Sequence, residues 1–137
     1  MLQRVQTIWL FLAAICAFAS LKFPFFTGMK SLPETGYQDL NGFSSLYLVV
    51  VTIAIGVIAL INIFLYTNRK LQFRLCILGM ILEACLIFIY YKMVSKYSEG
   101  AYSLSAALQI FVFLFFALAS KGIKNDDKIV KESNRLR

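Results

Sequence analysis

Two apolar runs, 44–66 and 75–92, flank a short basic segment, and that arrangement leaves the chain few folds. The segment between them, TNRKLQFR at 67–74, carries Arg69, Lys70 and Arg74. Each run comes close to the ~20 apolar residues that take a helix across a bilayer. In hydrocarbon, every backbone polar group must find its partner inside the segment, which a helix achieves and an open sheet does not. The two runs therefore predict a membrane hairpin with the basic segment as its inner turn. Two further runs, 5–26 and 101–120, bring the number of spans to four.

Between the spans lie an outer loop at 27–43, an outer turn at 93–100 and a charged tail at 121–137. The loop carries the turn formers Gly28, Pro33, Gly36 and Gly42. The expected fold is all-α, a four-transmembrane-helix up-down bundle in a single membrane domain. A short cytoplasmic helix is expected in the tail from near Asn125, whose side chain suits an N-cap.

Composition supports this. Of the 137 residues, 60% are hydrophobic, against about 45–50% in soluble domains. The net charge of +7 would suggest nucleic acid on a soluble protein. Here the basic residues flank apolar runs and form no aromatic-interleaved surface, so no nucleic-acid partner is expected. Ten of the 14 Lys and Arg fall on one side if the amino terminus, the basic segment and the tail share it. The other side has four, Lys22, Lys30, Lys92 and Lys96. The positive-inside rule then puts both termini in the cytoplasm. Trp9 and Tyr66 fall at the inner interface, and Tyr47, Tyr90, Tyr91 and Tyr102 at the outer one.

The first run has a competing reading as a signal-peptide core at 8–18, with Ala17-Phe18-Ala19 as a cleavage site. Apolar character resumes at 23–26, beyond that cut, and Lys22 can snorkel to the interface. An uncleaved helix fits these flanks better. A lipoprotein signal is disfavoured by Ile15 before Cys16.

Chemistry is sparse. Histidine is absent, and Cys16, Cys76 and Cys85 all lie in apolar runs without metal-ligand spacing. Cys76 and Cys85 fall on opposite faces of one helix, as small packing residues do. No phosphate loop or nucleophile elbow is present, so neither a cofactor nor an enzyme activity is expected.

Glu83 is the sharpest feature, because an ionised carboxylate near mid-span is costly. Gln109 in the fourth span lies at about the same depth, so an intramembrane polar pair, Glu83 with Gln109, is expected. Its functional reading is a proton or ion relay. Its bland reading is interhelical glue, worth about 1 kcal/mol. A relay normally needs several ionisable groups along a path, which favours glue. Gln72, Cys76, Gly79 and Glu83 share one face of the third helix. Thr52, Gly56, Ala59 and Asn62 form a similar stripe on the second, and Ala13, Ala17 and Ser20 on the first. Small residues let membrane helices approach, so these stripes read as packing seams. Phe111, Phe113, Phe115 and Phe116 make the fourth helix aromatic nearly all round.

The tail mixes signs, with Asp127 and Lys131 a supporting i,i+4 pair, and Ile123 and Val130 seven apart. It reads either as a solvated stop-transfer flank or as a docking helix.

Three stretches resemble one family. The start has Met1, Gln3, Arg4, Gln6, Thr7 and Trp9; the middle has Asn68, Arg69, Leu71, Gln72, Arg74, Leu75 and Cys76. The end has Asp126, Asp127, Lys128, Val130, Arg135, Leu136 and Arg137. The pattern resembles the Bacteroidota integral-membrane family known as domain of unknown function 4293. It departs mildly at Trp9, Glu132 and Asn134. The resemblance implies a four-helix protein of the bacterial inner membrane with cytoplasmic termini, and supplies no activity.

The expected function is a non-catalytic accessory or structural subunit, or assembly factor, of a larger membrane complex. Its partners would be membrane lipid and other subunits, or further copies of itself. The candidate interaction face is cytoplasmic and comprises Gln3, Arg4, Gln6, Asn68, Arg69, Gln72, Arg74, Asp126, Asp127, Arg135 and Arg137. The alternative is a small transporter or proton-coupled carrier that uses Glu83.

Overall fold

The four apolar runs become four long helices in a computed structural model, which describes residues 2–30 and 36–137, with side chains from Val5 onward. They are α1 (Leu2–Lys22), α2 (Leu46–Phe64), α3 (Arg69–Val94) and α4 (Ala107–Arg135). All four are long and apolar enough to cross a membrane. Each packs on its chain neighbours and α1 closes against α4, which makes an up-and-down ring. The chain is therefore the mostly helical, four-span bundle that the apolar runs predict.

The expected seams face inward. Ala13, Ala17 and Ser20, then Thr52, Gly56, Ala59 and Asn62, then Gln72, Cys76, Gly79 and Glu83 are all buried. Larger side chains fill the space between them: Leu10, Leu48, Ile55, Leu86, Val112 and Phe116 have no exposed surface. Ile8, Phe11, Val50, Ile81, Phe88 and Ile110 point outward, as a lipid-facing surface requires. Two serine hydroxyls within the spans turn back on their own helix. Ser20 Oγ donates to the Ala17 carbonyl at 2.7 Å and Ser120 Oγ to that of Ala117 at 2.8 Å.

Two connections differ from expectation. The outer loop and outer turn contribute strands β1 (Phe26–Lys30), β2 (Tyr37–Leu40) and β3 (Tyr97–Tyr102). They form one antiparallel sheet in the order β2-β1-β3 over one end of the bundle. Backbone groups of two remote connections thus satisfy one another. The sequence signal was weak because Gly28 and Gly100 lie in the strands, where glycine is disfavoured. The two glycines pair across the sheet beneath the Phe26 ring. A Cβ on either would stand 2.7 Å from Phe26 Cε1, so the close approach requires them. Phe26 and Leu40 join the core from the sheet. Pro33 lies outside the described residues.

Helix boundaries shift as well. The turn at the basic segment is short, because α3 already starts at Arg69 and nothing in Arg-Lys-Leu-Gln-Phe-Arg breaks a helix. The run at 101–120 begins as the end of β3 and a 3₁₀ turn, Leu104–Ala106, before α4 starts at Ala107. The tail is no separate helix from Asn125. It continues α4 to Arg135, held by the buried Ile123 and Asp126. Tyr90, expected in an interface belt, turns its side chain inward. It is fully buried, with its ring stacked on Phe25 at 4.4 Å.

Candidate functional site

Polar side chains gather at two levels of the bundle, one inside it and one at the end opposite the sheet. The inner group includes Glu83, which is 1% exposed, and Gln109, which is 2% exposed. Both face the core, but Glu83 Oε1 and Gln109 Oε1 each lack a hydrogen-bond partner. The expected pair does not form through those oxygens.

The α3–α4 register supplies the reason. Lys124 lies over the Phe73 ring, Gly79 faces Phe116, and Arg69 reaches the Asp126 backbone. Between antiparallel helices this alignment sets Glu83 beside Val112. Gln109 falls about one turn nearer the sheet, beside Leu86. Counting depth from the ends of the runs placed Gln109 too deep, because the fourth helix starts later than its apolar run.

Thr52 Oγ1 and Tyr90 OH are likewise buried without a partner. Tyr90 is seven residues from Glu83 on α3 and so shares its face. That spacing was present in the sequence, but Tyr90 read as an interface aromatic. Nearer the turn two side-chain amides find partners, although Asn62 Oδ1 is also buried without one. Asn62 Nδ2 donates to Cys76 Sγ at 3.0 Å, and Gln72 Nε2 donates to the Asn62 carbonyl at 3.2 Å. The second bond satisfies one of the carbonyls that the end of α2 leaves open.

The second level joins three helix ends. Gln6 Nε2 on α1 donates to the Asp126 carboxylate on α4. Arg69 Nη1 on α3 reaches the Asp126 backbone carbonyl at 3.4 Å. The start, middle and end of the chain thus converge on one residue. Of the candidate cytoplasmic interaction face, Gln6, Gln72 and Asp126 are buried within the bundle. Asn68, Arg74, Arg135 and Arg137 are exposed, and Arg69 and Asp127 are half-buried. Gln3 and Arg4 have side chains outside those described.

Beyond this node α4 leaves the bundle. The expected Asp127–Lys131 pair is present at 2.7 Å. Ile129 and Val130 are exposed at 50% and 40%, apolar surface on an otherwise charged helix, and Leu136 just past its end is exposed at 90%. Val130 and Tyr66 lie in a hollow of about 490 Å³ with Arg69, Lys70 and Asp127 around it. Among the described residues no group of three His, Cys, Asp or Glu side chains stands close enough to hold a metal ion.

Over residues 2–136 the chain matches the family described as "Domain of unknown function (DUF4293)", and it belongs to that family. No curated protein and no solved structure matches it.

Proposed function

We propose that this member of the family is a non-catalytic accessory subunit, or assembly factor, of a larger complex in the bacterial inner membrane. The carrying observation is the apolar surface of Ile129 and Val130 on the part of α4 that has left the bundle, continued by Leu136 just past its end. At about 1.5 Å per residue, the 29 residues of α4 span about 43 Å, beyond the ~30 Å of hydrocarbon. The excess of Lys and Arg at this end supports a cytoplasmic placement, with both termini inside. The hollow around Val130 gives a partner a seat with a basic rim of Arg69 and Lys70.

Purification of the tagged protein from its own membrane in a gentle detergent is expected to bring a stoichiometric partner. Ile129→Asp with Leu136→Asp should release that partner and leave the bundle folded, because both side chains are exposed. Recovery of the unmodified chain as an isolated monomer would sink the proposal.

One observation favours a second reading, a small proton-coupled carrier. Glu83, Thr52, Tyr90 and Gln109 leave buried polar atoms unpartnered within the spans, where polar groups commonly mark a transport path. In liposomes, flux carried by such a protein should collapse in Glu83→Gln. Flux unchanged by that substitution excludes a Glu83-coupled mechanism.

A further inference from the structure

Two hollows border Arg69 and Lys70. One is the hollow at Val130; the other reaches Phe73 and Ile123, nearer the bundle, between α3 and α4. This second hollow measures about 180 Å³ and is lined by Arg69, Lys70, Phe73, Ile123, Lys124 and Asp127. Clefts for drug-sized ligands begin at ~300 Å³, so it suits a small group rather than a whole molecule.

Its charge is one-sided. Three cations stand around it with one carboxylate, and Asp127 is already held by Lys131 at 2.7 Å. Among the described residues the ion pairs are Lys131 with Asp127 and Lys128 with Glu132, so Arg69, Lys70 and Lys124 have no carboxylate in direct contact. Other contacts hold two of them in place without neutralising them. Lys124 Nζ lies over the Phe73 ring at 5.4 Å, and Arg69 Nη1 reaches the uncharged Asp126 carbonyl at 3.4 Å. That bond uses one of the five N–H donors of the guanidinium. Cations gathered in this way repel one another, and an anion among them turns repulsion into attraction.

The level in the membrane follows from the ends of the apolar runs. Lys124 lies four residues past Ser120, about 6 Å along the helix. Headgroups add about 5–7 Å on each side of the hydrocarbon. Arg69 and Lys70 open α3 just after the run that ends at Tyr66. The side of the hollow toward mid-span is apolar, formed by Phe73 and Ile123. Ile77 and Met80 continue the Phe73 face of α3 toward mid-span, and Ile77 is 37% exposed. Cations at headgroup level above an apolar track fit an anion that carries a hydrocarbon chain. From this we infer that the hollow between the start of α3 and α4 binds the phosphate of an anionic membrane phospholipid. Arg69, Lys70 and Lys124 surround the phosphate, and an acyl chain runs along Phe73 toward Ile77. A zwitterionic phospholipid fits less well, because its own cation would join three others. This lipid is additional to the protein partner proposed for α4, and its binding is read on the purified chain alone.

Dioleoyl phosphatidylglycerol and dioleoyl phosphatidylcholine test this, since they share acyl chains and phosphate and differ in net charge. Native mass spectrometry of the full chain, delipidated in detergent, should show phosphatidylglycerol bound at least about tenfold more tightly, since each basic residue beside an anionic headgroup contributes about fivefold. Lys70→Gln with Lys124→Gln leaves Arg69 against Asp127 and should bring the two affinities together. Both lysines are exposed, so the bundle should stay folded. Arg135→Gln with Arg137→Gln removes the same charge outside the hollow and should leave the preference intact. Equal binding of the two lipids by the unmodified chain overturns the inference, and so does a preference that survives Lys70→Gln with Lys124→Gln. An equal loss in both double variants overturns it too, because the attraction would then be diffuse. Displacement of phosphatidylglycerol by millimolar glycerol 1-phosphate would make the hollow a site for a soluble phosphate compound and overturn the lipid assignment.

Discussion

Gly79→Val is expected to destabilise the bundle by about 1–3 kcal/mol, the range for overpacking a filled core. Any Cβ at this position meets the Phe116 ring at 2.7 Å, and Phe116 is fully buried with nowhere to move. Even Gly79→Ala should be destabilising, although alanine is favoured over glycine within a helix by about 1 kcal/mol. Gly56 supplies the contrast. A Cβ there meets the Phe18 ring at 2.6 Å, an even shorter distance. Phe18, however, is 38% exposed and can swing toward lipid. Gly56→Ala should therefore be near neutral. Thermal unfolding in detergent measures both. Phe116→Leu should recover part of the loss in Gly79→Ala, because neighbours in contact are non-additive. Equal effects at Gly56 and Gly79 would show that the mobility of the facing ring does not matter.

The same helix shows what was legible in the sequence. The stripe Gln72, Cys76, Gly79 and Glu83 was readable because helical periodicity needs no tertiary knowledge. Its burial follows, since small and polar residues on one face of a span have only the bundle interior to meet. The level of Gln109 relative to Glu83 was not readable. Depth on a neighbouring helix depends on where that helix starts, and α4 starts at Ala107, after a strand and a 3₁₀ turn within its apolar run. The sheet was hidden for a related reason. β1 and β3 are about seventy residues apart, and neither carries a strong strand signal by itself. Pairing gives each its hydrogen bonds, and this is a property of the closed bundle rather than of either segment.

The meeting of the three distinctive stretches was legible only in part. Charge pattern and resemblance both pointed to the start, the basic turn and the tail, and the fold does bring Gln6, Arg69 and Asp126 together. Sequence alone does not say which way these side chains point. Residues that distinguish a family serve either to bind a partner or to lock helix ends, and burial assigns Gln6 and Asp126 to the second role. The exposed residues at this end are Arg74, Ile129, Val130 and Leu136, on which the proposed partner contact rests.

Asp126→Ala puts that division of roles to the test. The carboxylate accepts from Gln6 Nε2, whereas Arg69 bonds to the backbone carbonyl and keeps its partner in the variant. The loss should therefore be confined to the Gln6 bond. A hydrogen bond to a charged group is worth about 1.5–3 kcal/mol, and the stranded amide adds its own cost of desolvation. Asp126→Asn retains an acceptor oxygen and should lose less. Gln6→Ala combined with Asp126→Ala should cost less than the two single changes added together, since the second removes a group that the first has already orphaned. The readouts are the unfolding midpoint in detergent and proteolysis of the tail, which should be cut faster once α4 is untied from α1. The same purified variants carry a second measurement, recovery of the partner. A structural latch predicts that partner loss follows the fall in stability across Asp126→Asn, Asp126→Ala and the double variant. If Asp126→Ala instead keeps its unfolding midpoint and loses the partner, the carboxylate is itself a recognition group, and the buried position seen here must open when the partner binds.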